Sequence, residues 1–451
     1  MDKSPRHERF RFGRFEVQPR ERRLLADGTV TPITPRAFDL LVVLIERAGE
    51  LVEKDELLDR VWSGLVVEES NLPVQVSTLR RLLGPRSIAT VPGRGYRFMP
   101  EVAVTAAGEP APAGNLPEPI TPMVDSRRMV DRCVAALRAT QLITLTGPGG
   151  VGKSRLLLET ARACSDDYRD GAWAVDVSTA PDLPGLEQLV ANVLCIADAS
   201  RTGIATHVAR RCMLLALDNC EHLVQDVADL ADRLLRASPR LAVLASSRER
   251  LRVAGERLVY VAPLPVPEVE SATPEALANV DSVRLFMSHA AAALPGFALT
   301  ATNAAPIARI CRELEGLPLA LVHAAPLVRA MSPLQIAEHL SDPLDFLKAA
   351  DPTVAPHQRT LRASLDWSYE PLAPEERACL RRLACLPCAW TLEAALATLT
   401  GGAGNESDWV TLHGRLVEKS LVTFDSDTGR YRMLGLVRRH ARERMDAGDA
   451  P

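Results

Sequence analysis

Apolar positions recur along this chain in two periods, and the switches between them outline its elements. Near the N-terminus, Phe12 to Val17 and Leu24 to Val30 alternate apolar and polar residues, which predicts short half-buried strands. From Ala37 to Arg47 the period becomes helical, with Phe38, Leu41, Leu44 and Ile45 on one face. A second helix is predicted over Asp55 to Val61. A third is predicted over residues 70–83, where Leu72, Val76, Leu79, Leu82 and Leu83 are apolar. Ile88 to Pro92 and Tyr96 to Met99 flank Gly93-Arg94-Gly95, the pattern of a hairpin with a tight turn. Three helices closed by such a hairpin make a winged helix-turn-helix of α+β class.

Longer apolar runs follow. Leu142 to Thr146 reads as a buried strand, and Arg155 to Ala161 as the helix after it. Trp173 to Val177, Met213 to Asp218 and Leu241 to Arg248 read as further strands. Strands alternating with helices predict an α/β domain with a parallel sheet and a ligand at the strand ends. A helical region is predicted from Asp281 to Leu347 and a final helical domain from Thr360 to Asp446. Residues 108–119 hold four prolines and little to bury, as a semi-rigid linker does. Residues 263–267 are a second Pro-rich joint, and 348–356 a further loop. The division predicted is 1–104 for the winged helix and 105–122 for a linker. The nucleotide-binding domain takes 123–267, the helical domain 268–350 and the last domain 351–451. A chain of 451 residues is too long for one ordinary core, which agrees with several domains.

Charge and cysteine change the picture locally. The balance is near neutral, 53 basic against 57 acidic residues, so no global polybasic argument applies. Between Ser70 and Pro100, however, there is no Asp or Glu and there are five arginines: Arg80, Arg81, Arg86, Arg94 and Arg97. An acid-free helix and hairpin inside an acidic domain form the local footprint of a DNA face, against the alternative of a solvated helix face. No run of about 18 apolar residues occurs, so no membrane span is expected. The charged start Met1-Asp2-Lys3-Ser4-Pro5-Arg6 is not that of a signal peptide, and a reducing cytoplasmic setting is expected. Cys379, Cys385 and Cys388 contain one C-x-x-C and no second pair, so buried thiols are expected there rather than zinc.

The chemistry concentrates at Gly147-Pro148-Gly149-Gly150-Val151-Gly152-Lys153-Ser154, which fits the phosphate-cradling G-x-x-x-x-G-K-[ST]. Glycines let the backbone aim N–H groups at phosphate oxygens. Lys153 supplies a point charge, Ser154 can ligate Mg²⁺, and Arg155 starts a helix whose N-terminus faces the anion. Met213 to Asp218 is an apolar run ending in a carboxylate. Asp218 would therefore share the Mg²⁺ with Ser154. Arg248 ends a strand where it can sense a γ-phosphate. Glu221 is the one candidate catalytic base; equally, Asp218-Asn219-Cys220-Glu221 can simply cap the next element.

Two resemblances extend this reading. Residues 28–100 resemble the effector domain of OmpR/PhoB-type regulators. The residues that carry it are 33–41 (Ile-Thr-Pro-Arg-Ala-Phe-Asp-Leu-Leu), 57–62 (Leu-Leu-Asp-Arg-Val-Trp), 74–81 (Val-Gln-Val-Ser-Thr-Leu-Arg-Arg) and 90–98 (Thr-Val-Pro-Gly-Arg-Gly-Tyr-Arg-Phe). The resemblance implies a third helix in a major groove of double-stranded DNA and a wing on the minor groove or backbone. It implies base reading by Gln75 and Thr78, and phosphate or base contacts by Arg80, Arg81, Arg94 and Arg97. Arg36 joins that set. Trp62 falls where the family meets the DNA backbone, with a core role as the equal alternative. Relatives often carry arginine where this chain has Ser77 and Thr78.

Residues 142–445 resemble the NB-ARC class of STAND ATPases, in the form found in bacterial transcription regulators. This rests on the P-loop with 217–223 (Leu-Asp-Asn-Cys-Glu-His-Leu), 245–249 (Ala-Ser-Ser-Arg-Glu), 316–321 (Gly-Leu-Pro-Leu-Ala-Leu), 360–369 and 431–438. The class implies a switch in which ADP holds the core closed and ATP opens it, often with oligomerisation. It implies that Pro318 packs by the adenine, and that a helical domain and a second winged helix close over the nucleotide. The chain departs from it twice. Met123 to Arg127 lacks the Gly-Arg pair that helps seat the base, and Met433-Leu434-Gly435 lacks a His-Asp pair whose His touches the ADP phosphate.

The expectation is a DNA-binding transcriptional regulator gated by ATP or ADP with Mg²⁺, at most a slow ATPase. RNA polymerase and a second copy of the chain are the candidate protein partners. A working ATPase tethered to DNA, and a constitutive DNA binder with a degenerate nucleotide site, are the alternatives.

Overall fold

The computed structural model describes residues 8–19, 23–26, 29–31, 33–61, 71–106, 114–118, 123, 127–196, 198–268, 273–340, 342–348, 359–400 and 406–446. They form two units, residues 1–113 and 114–451, each described by itself.

The first unit opens with strands β1 (Glu8–Phe12), β2 (Phe15–Gln18), β3 (Arg23–Ala26) and β4 (Thr29–Thr31). The alternating stretches 12–17 and 24–30 are therefore not single strands. Each straddles a reversal: Phe12 pairs with Phe15 across Gly13, and Ala26 pairs with Thr29. Helix α1 (Pro35–Glu46), strand β5 (Leu51–Glu53), helix α2 (Lys54–Val61) and helix α3 (Asn71–Leu83) follow. The hairpin β6 (Ile88–Val91) and β7 (Gly95–Phe98) turns at Gly93, whose φ of 74° is the left-handed conformation glycine adopts freely. Strand β8 (Ala103–Ala106) returns to pair with β1, giving one antiparallel sheet in the order β4-β3-β2-β1-β8 and a second in the order β5-β7-β6.

The core lies between the first sheet and α1. Phe10, Phe12, Val17 and Leu24 meet Phe38, Leu41 and Leu44, and Phe98 from the wing closes edge-on against Phe12 with ring centroids 5.0 Å apart. Leu72, Val76 and Leu79 of α3 are buried at the spacing of one helix face. Burying each contributes about 1.5–3 kcal/mol, and their burial turns the opposite face of α3 outward.

The second unit begins with α4 (Arg127–Ala139), β9 (Leu142–Thr146), α5 (Lys153–Ala163) and β10 (Ala172–Asp176). It continues through α6 (Leu183–Val193), α7 (Arg201–Val208), β11 (Met213–Asp218), α8 (Val224–Ala237), β12 (Leu241–Ser246) and β13 (Arg257–Tyr260). All five strands are parallel, in the order β10-β11-β12-β9-β13. Every residue of β9 and β12 is buried, as a sheet covered on both faces requires. Residues 114–118, assigned to a linker by composition, lie on this core: Gly114 bridges Ala172, and Asn115 exchanges hydrogen bonds with the backbone of Ala174 at 2.7 and 2.8 Å.

Six helices follow: α9 (Pro274–Leu277), α10 (Asp281–Ala293), α11 (Ala304–Glu313), α12 (Pro318–Ala324), α13 (Pro333–His339) and α14 (Pro343–Phe346). They share one hydrophobic cluster with the sheet, joining Leu145 and Val151 to Phe286, Ile310 and Leu321. The last region holds α15 (Leu361–Tyr369), α16 (Pro374–Leu383), β14 (Ala389–Trp390), α17 (Leu392–Thr400), α18 (Glu406–Glu418), β15 (Thr423–Asp425), β16 (Arg430–Arg432) and α19 (Gly435–Asp446). It is helical with a small antiparallel sheet, β14-β16-β15, around a core that includes Trp390, Trp409 and Val437. Cys379 is buried there as expected, whereas Cys385 and Cys388 are exposed because they lie beyond the end of α16. Among the described residues no group of three or more His, Cys, Asp or Glu is arranged to hold a metal. No helix among them is long and apolar enough to cross a membrane.

Candidate nucleotide site and nucleic-acid face

The loop after β9 wraps at the C-terminal edge of the sheet. Gly147, Gly150 and Gly152 have φ of 152°, 74° and 97°, a path side-chain-bearing residues rarely follow. Space is also restricted. A Cβ on Gly147 would lie 2.4 Å from the Val261 carbonyl oxygen, and one on Gly150 would lie 2.9 Å from Leu319 Cβ. Gly152 precedes α5, so the first amides of that helix point into the loop. Lys153 is buried, and its Nζ donates to the Gly147 and Pro148 carbonyls at 2.9 and 3.1 Å. Burial pulls its pKa down to about 8. Glu221 and Asp218 act against that shift, while Arg248 adds to it.

Asp218 ends β11 as expected. Ser246 and Ser154 hydroxyls hydrogen-bond its carboxylate, and burial outweighs them, leaving its pKa raised. Glu221 stands in the short 3-10 turn Cys220–His222, and neither this turn nor α8 is capped by a side chain, so the capping alternative is not realised. Its Oε1 lies 3.4 Å from Arg248 Nε, and both side chains are almost wholly buried. Burial opposes its ionisation, yet Arg248, Lys153 and the Trp367 indole hold the carboxyl below its ordinary range. Glu221 Oε2 is buried without a hydrogen-bond partner among the described residues.

Gly150, Gly152, Lys153, Glu221 and Arg248 line a cavity of about 460 Å³ that draws on all three regions of the unit. The loop residues 149–155, Glu221 and Arg248 form its polar end. Met123, Leu264, Leu285, Pro318, Leu319 and Val322 form an apolar end, with His289 beside them. Arg155 reaches this wall from α5, where its Nε also lies 3.1 Å from Glu159. Ser364 of α15 completes it. A donor-rich glycine cradle beside an apolar slot suits a purine nucleotide with its phosphates, and paired Ser154 and Asp218 oxygens suit a hard divalent cation.

Several of these contacts carry no sequence signal. The Leu319 N–H donates to the Gly150 carbonyl at 3.1 Å, tying the helical region to the phosphate loop. Ser420 Oγ donates to the Arg248 carbonyl at 2.7 Å, tying the last region to the same site. Leu434 does not line the cavity; beside it, the Gly435 N–H donates to the Glu315 carboxylate.

On the first unit, Val74, Ser77 and Arg81 are exposed along α3, with Thr78 half-buried beside them. Gln75 is half-buried, and its Oε1 accepts from Thr34 Oγ1 at 3.4 Å. Thr78 Oγ1 donates back to Val74 O at 3.1 Å. Val74 is thus an outward position that the resemblance did not mark, and Ser77 one it marked only as a departure. Arg94 and Arg97 are exposed on the wing. Arg80 and Arg36 instead work inside the fold. Arg80 donates to Ile88 O at 3.0 and 2.8 Å and to Thr90 Oγ1 at 2.6 Å, and Arg36 donates to Val61 O at 2.6 Å. Trp62 lies outside the described residues.

Residues 28–98 match the family model described as transcriptional regulatory protein, C terminal. A Mycobacterium tuberculosis protein named as an HTH-type transcriptional regulator is 36% identical over 323 residues, which cover 70% of this chain and 35% of that one. A second protein of that organism, which bears no functional name, is 35% identical over 323 residues, covering 69% of this chain and 78% of its own length. Residues 28–98 are a transcriptional-regulator DNA-binding domain, and most of the chain is similar to a protein named as an HTH-type transcriptional regulator. The chain spans about a third of the length of that named relative. Among solved structures, the Walker-type ATPase of Pyrococcus abyssi is 15% identical, with a TM-score of 0.48 over 72% of this chain and 99% of its own. Within the chain itself, a winged helix that matches a DNA-binding family is joined to a five-stranded parallel sheet carrying a glycine phosphate loop.

Proposed function

We propose that this regulator is nucleotide-gated: the ATP or ADP state of the second unit controls DNA binding or assembly by the first. The single observation carrying this reading is that the phosphate loop, the helical region and the last region all line one cavity. A ligand there touches all three, so a change in its phosphates biases their packing. In this reading residues 147–154 cradle the phosphates, with Lys153 as the point charge. Ser154 and Asp218 hold Mg²⁺, Arg248 meets the outer phosphate, Arg155 lines the wall and Pro318 packs on adenine. The cation, when bound, would neutralise phosphate charge. Glu221 is tied to Arg248 and Trp367, which favours a slow switch over a working ATPase.

DNA is met by Val74, Ser77, Thr78 and Gln75 on base edges and by Arg81, Arg94 and Arg97 on phosphates or bases, while Arg80 and Arg36 set the helix and wing in place. Double-stranded DNA in the cytoplasm, RNA polymerase and a second copy of the chain are the partners this reading calls for. A second reading, a constitutive DNA binder, draws on ties between the regions made by protein groups, Glu315 to Gly435 and Ser420 to Arg248. Lys153→Ala separates them. Loss of both nucleotide binding and nucleotide-dependent DNA binding supports gating; unchanged DNA binding with any nucleotide supports the constitutive reading. Turnover above about 1 s⁻¹ would instead indicate a working ATPase.

A further inference from the structure

The segment Cys385-Leu386-Pro387-Cys388 joins α16 to β14 and plays no part in either site described above. Nine cysteines are present in the chain. Cys133, Cys164, Cys220, Cys311 and Cys379 are buried, and burial pushes the thiols of Cys164, Cys311 and Cys379 up to about 12. Those thiols are inert by position. Cys385 and Cys388 are both exposed and three residues apart. Cys385 sits in the turn just past α16, where its N–H donates to Arg382 O at 3.1 Å.

A cation from another helix is fixed over the second thiol. Arg438 Nη1 of α19 donates to Cys388 Sγ at 3.5 Å, and its Nη2 donates to Pro387 O at 2.9 Å. The remaining accessible thiols, Cys195 and Cys212, have no second cysteine at such spacing. A closed zinc site needs four ligands, and no cluster of even three is present among the described residues. What remains is an exposed vicinal dithiol beside a guanidinium, the setting in which thiol–disulfide exchange occurs.

We propose that Cys385 and Cys388 form a redox-active pair that is oxidised by a low-molecular-weight disulfide. The Cys388 thiolate attacks one sulfur of the small disulfide. A protein–small-molecule S–S bond forms, the small disulfide bond breaks, and one small thiolate leaves with the proton released by Cys388. The Cys385 thiolate then attacks Cys388 Sγ, forming the intramolecular disulfide and expelling the second small thiol with the proton from Cys385. Two protein thiols are oxidised and one small disulfide is reduced to two thiols. Arg438 attracts an anionic reagent to Cys388. Oxidation changes the sulfur that Arg438 grips, on the helix whose first amide Glu315 holds.

The test uses the full chain, reduced, desalted and titrated with glutathione disulfide without denaturant, followed by intact mass and non-reducing peptide mapping. The expected product has lost two hydrogens and carries a Cys385–Cys388 link ahead of any adduct on Cys195 or Cys212. Cys385→Ser should stop at a glutathione adduct on Cys388. Arg438→Gln should slow the reaction several-fold, and Arg438→Lys should restore most of the rate. Both cysteines are exposed, so the serine variant retains the fold, which circular dichroism checks. Equal adducts on Cys195, Cys212, Cys385 and Cys388 without a linked peptide, or a link that forms only in urea, would overturn the proposal.

Discussion

Glu221→Leu removes the carboxylate paired with Arg248 among the described residues, a guanidinium whose side chain is 10% exposed. At that burial water cannot replace the lost partner. Breaking a buried ion pair from one side costs about 3–5 kcal/mol. Lys153 is affected as well, since Glu221 is the strongest group supporting its charge, and its pKa should move below about 8. For a unit of this size the urea dependence is at least about 3 kcal/mol per M, so the unfolding midpoint should fall by about 1 M. Tryptophan fluorescence reads the right region, because Trp173, Trp367, Trp390 and Trp409 all lie in the second unit. The double variant Glu221→Leu with Arg248→Met replaces the pair by apolar groups and should recover most of the loss. A single variant with an unchanged midpoint, or a double variant no better than the single, would refute the view that these residues form one buried electrostatic unit.

Other outcomes follow from the same geometry. Lys153 titrates near 8, so binding a phosphate anion requires proton uptake above that pH; affinity for labelled ATP should be flat below it and fall up to about tenfold per unit above it. A flat profile to about pH 10 would remove Lys153 from the phosphate site. Gly150→Ala forces a left-handed alanine against Leu319, costing about 1–2 kcal/mol in backbone strain alone, and should weaken nucleotide binding at least about tenfold in a calorimetric titration. Arg81→Ala should weaken DNA binding uniformly across sequences and reduce the salt slope by about 1 in anisotropy assays. Arg80→Ala, by contrast, should lower the melting temperature of the first unit, because its guanidinium holds β6 to α3.

How much of this was legible in the sequence depended on the range of the interactions. The phosphate loop, the carboxylate ending β11 and the wing turn at Gly93 are local: a few consecutive residues carry strand, turn and helix signals together. The strands β5 and β13 were missed because three or four residues offer too few positions to fix a period. On β13 the apolar run Leu258-Val259-Tyr260 is present, but only Val259 is buried, so the run does not alternate with burial. Residues 12–17 and 24–30 alternate correctly, but alternation does not reveal where a chain folds back. Long-range partners left no trace. Nothing local marks Leu319 as a donor to Gly150, Ser364 as part of the cavity wall, or Glu315 as the acceptor for Gly435. Arginine composition located the DNA face, yet it could not tell Arg80, which braces the wing, from Arg81, which faces outward.

The central claim is that the nucleotide governs the DNA-binding state. It is tested most directly by enriching genomic fragments on the purified full chain with ATP–Mg²⁺, with ADP and with neither. Nucleotide gating predicts specific fragments recovered in one nucleotide state and lost in the others. Recovery of the same fragments to the same extent under all three conditions would contradict it.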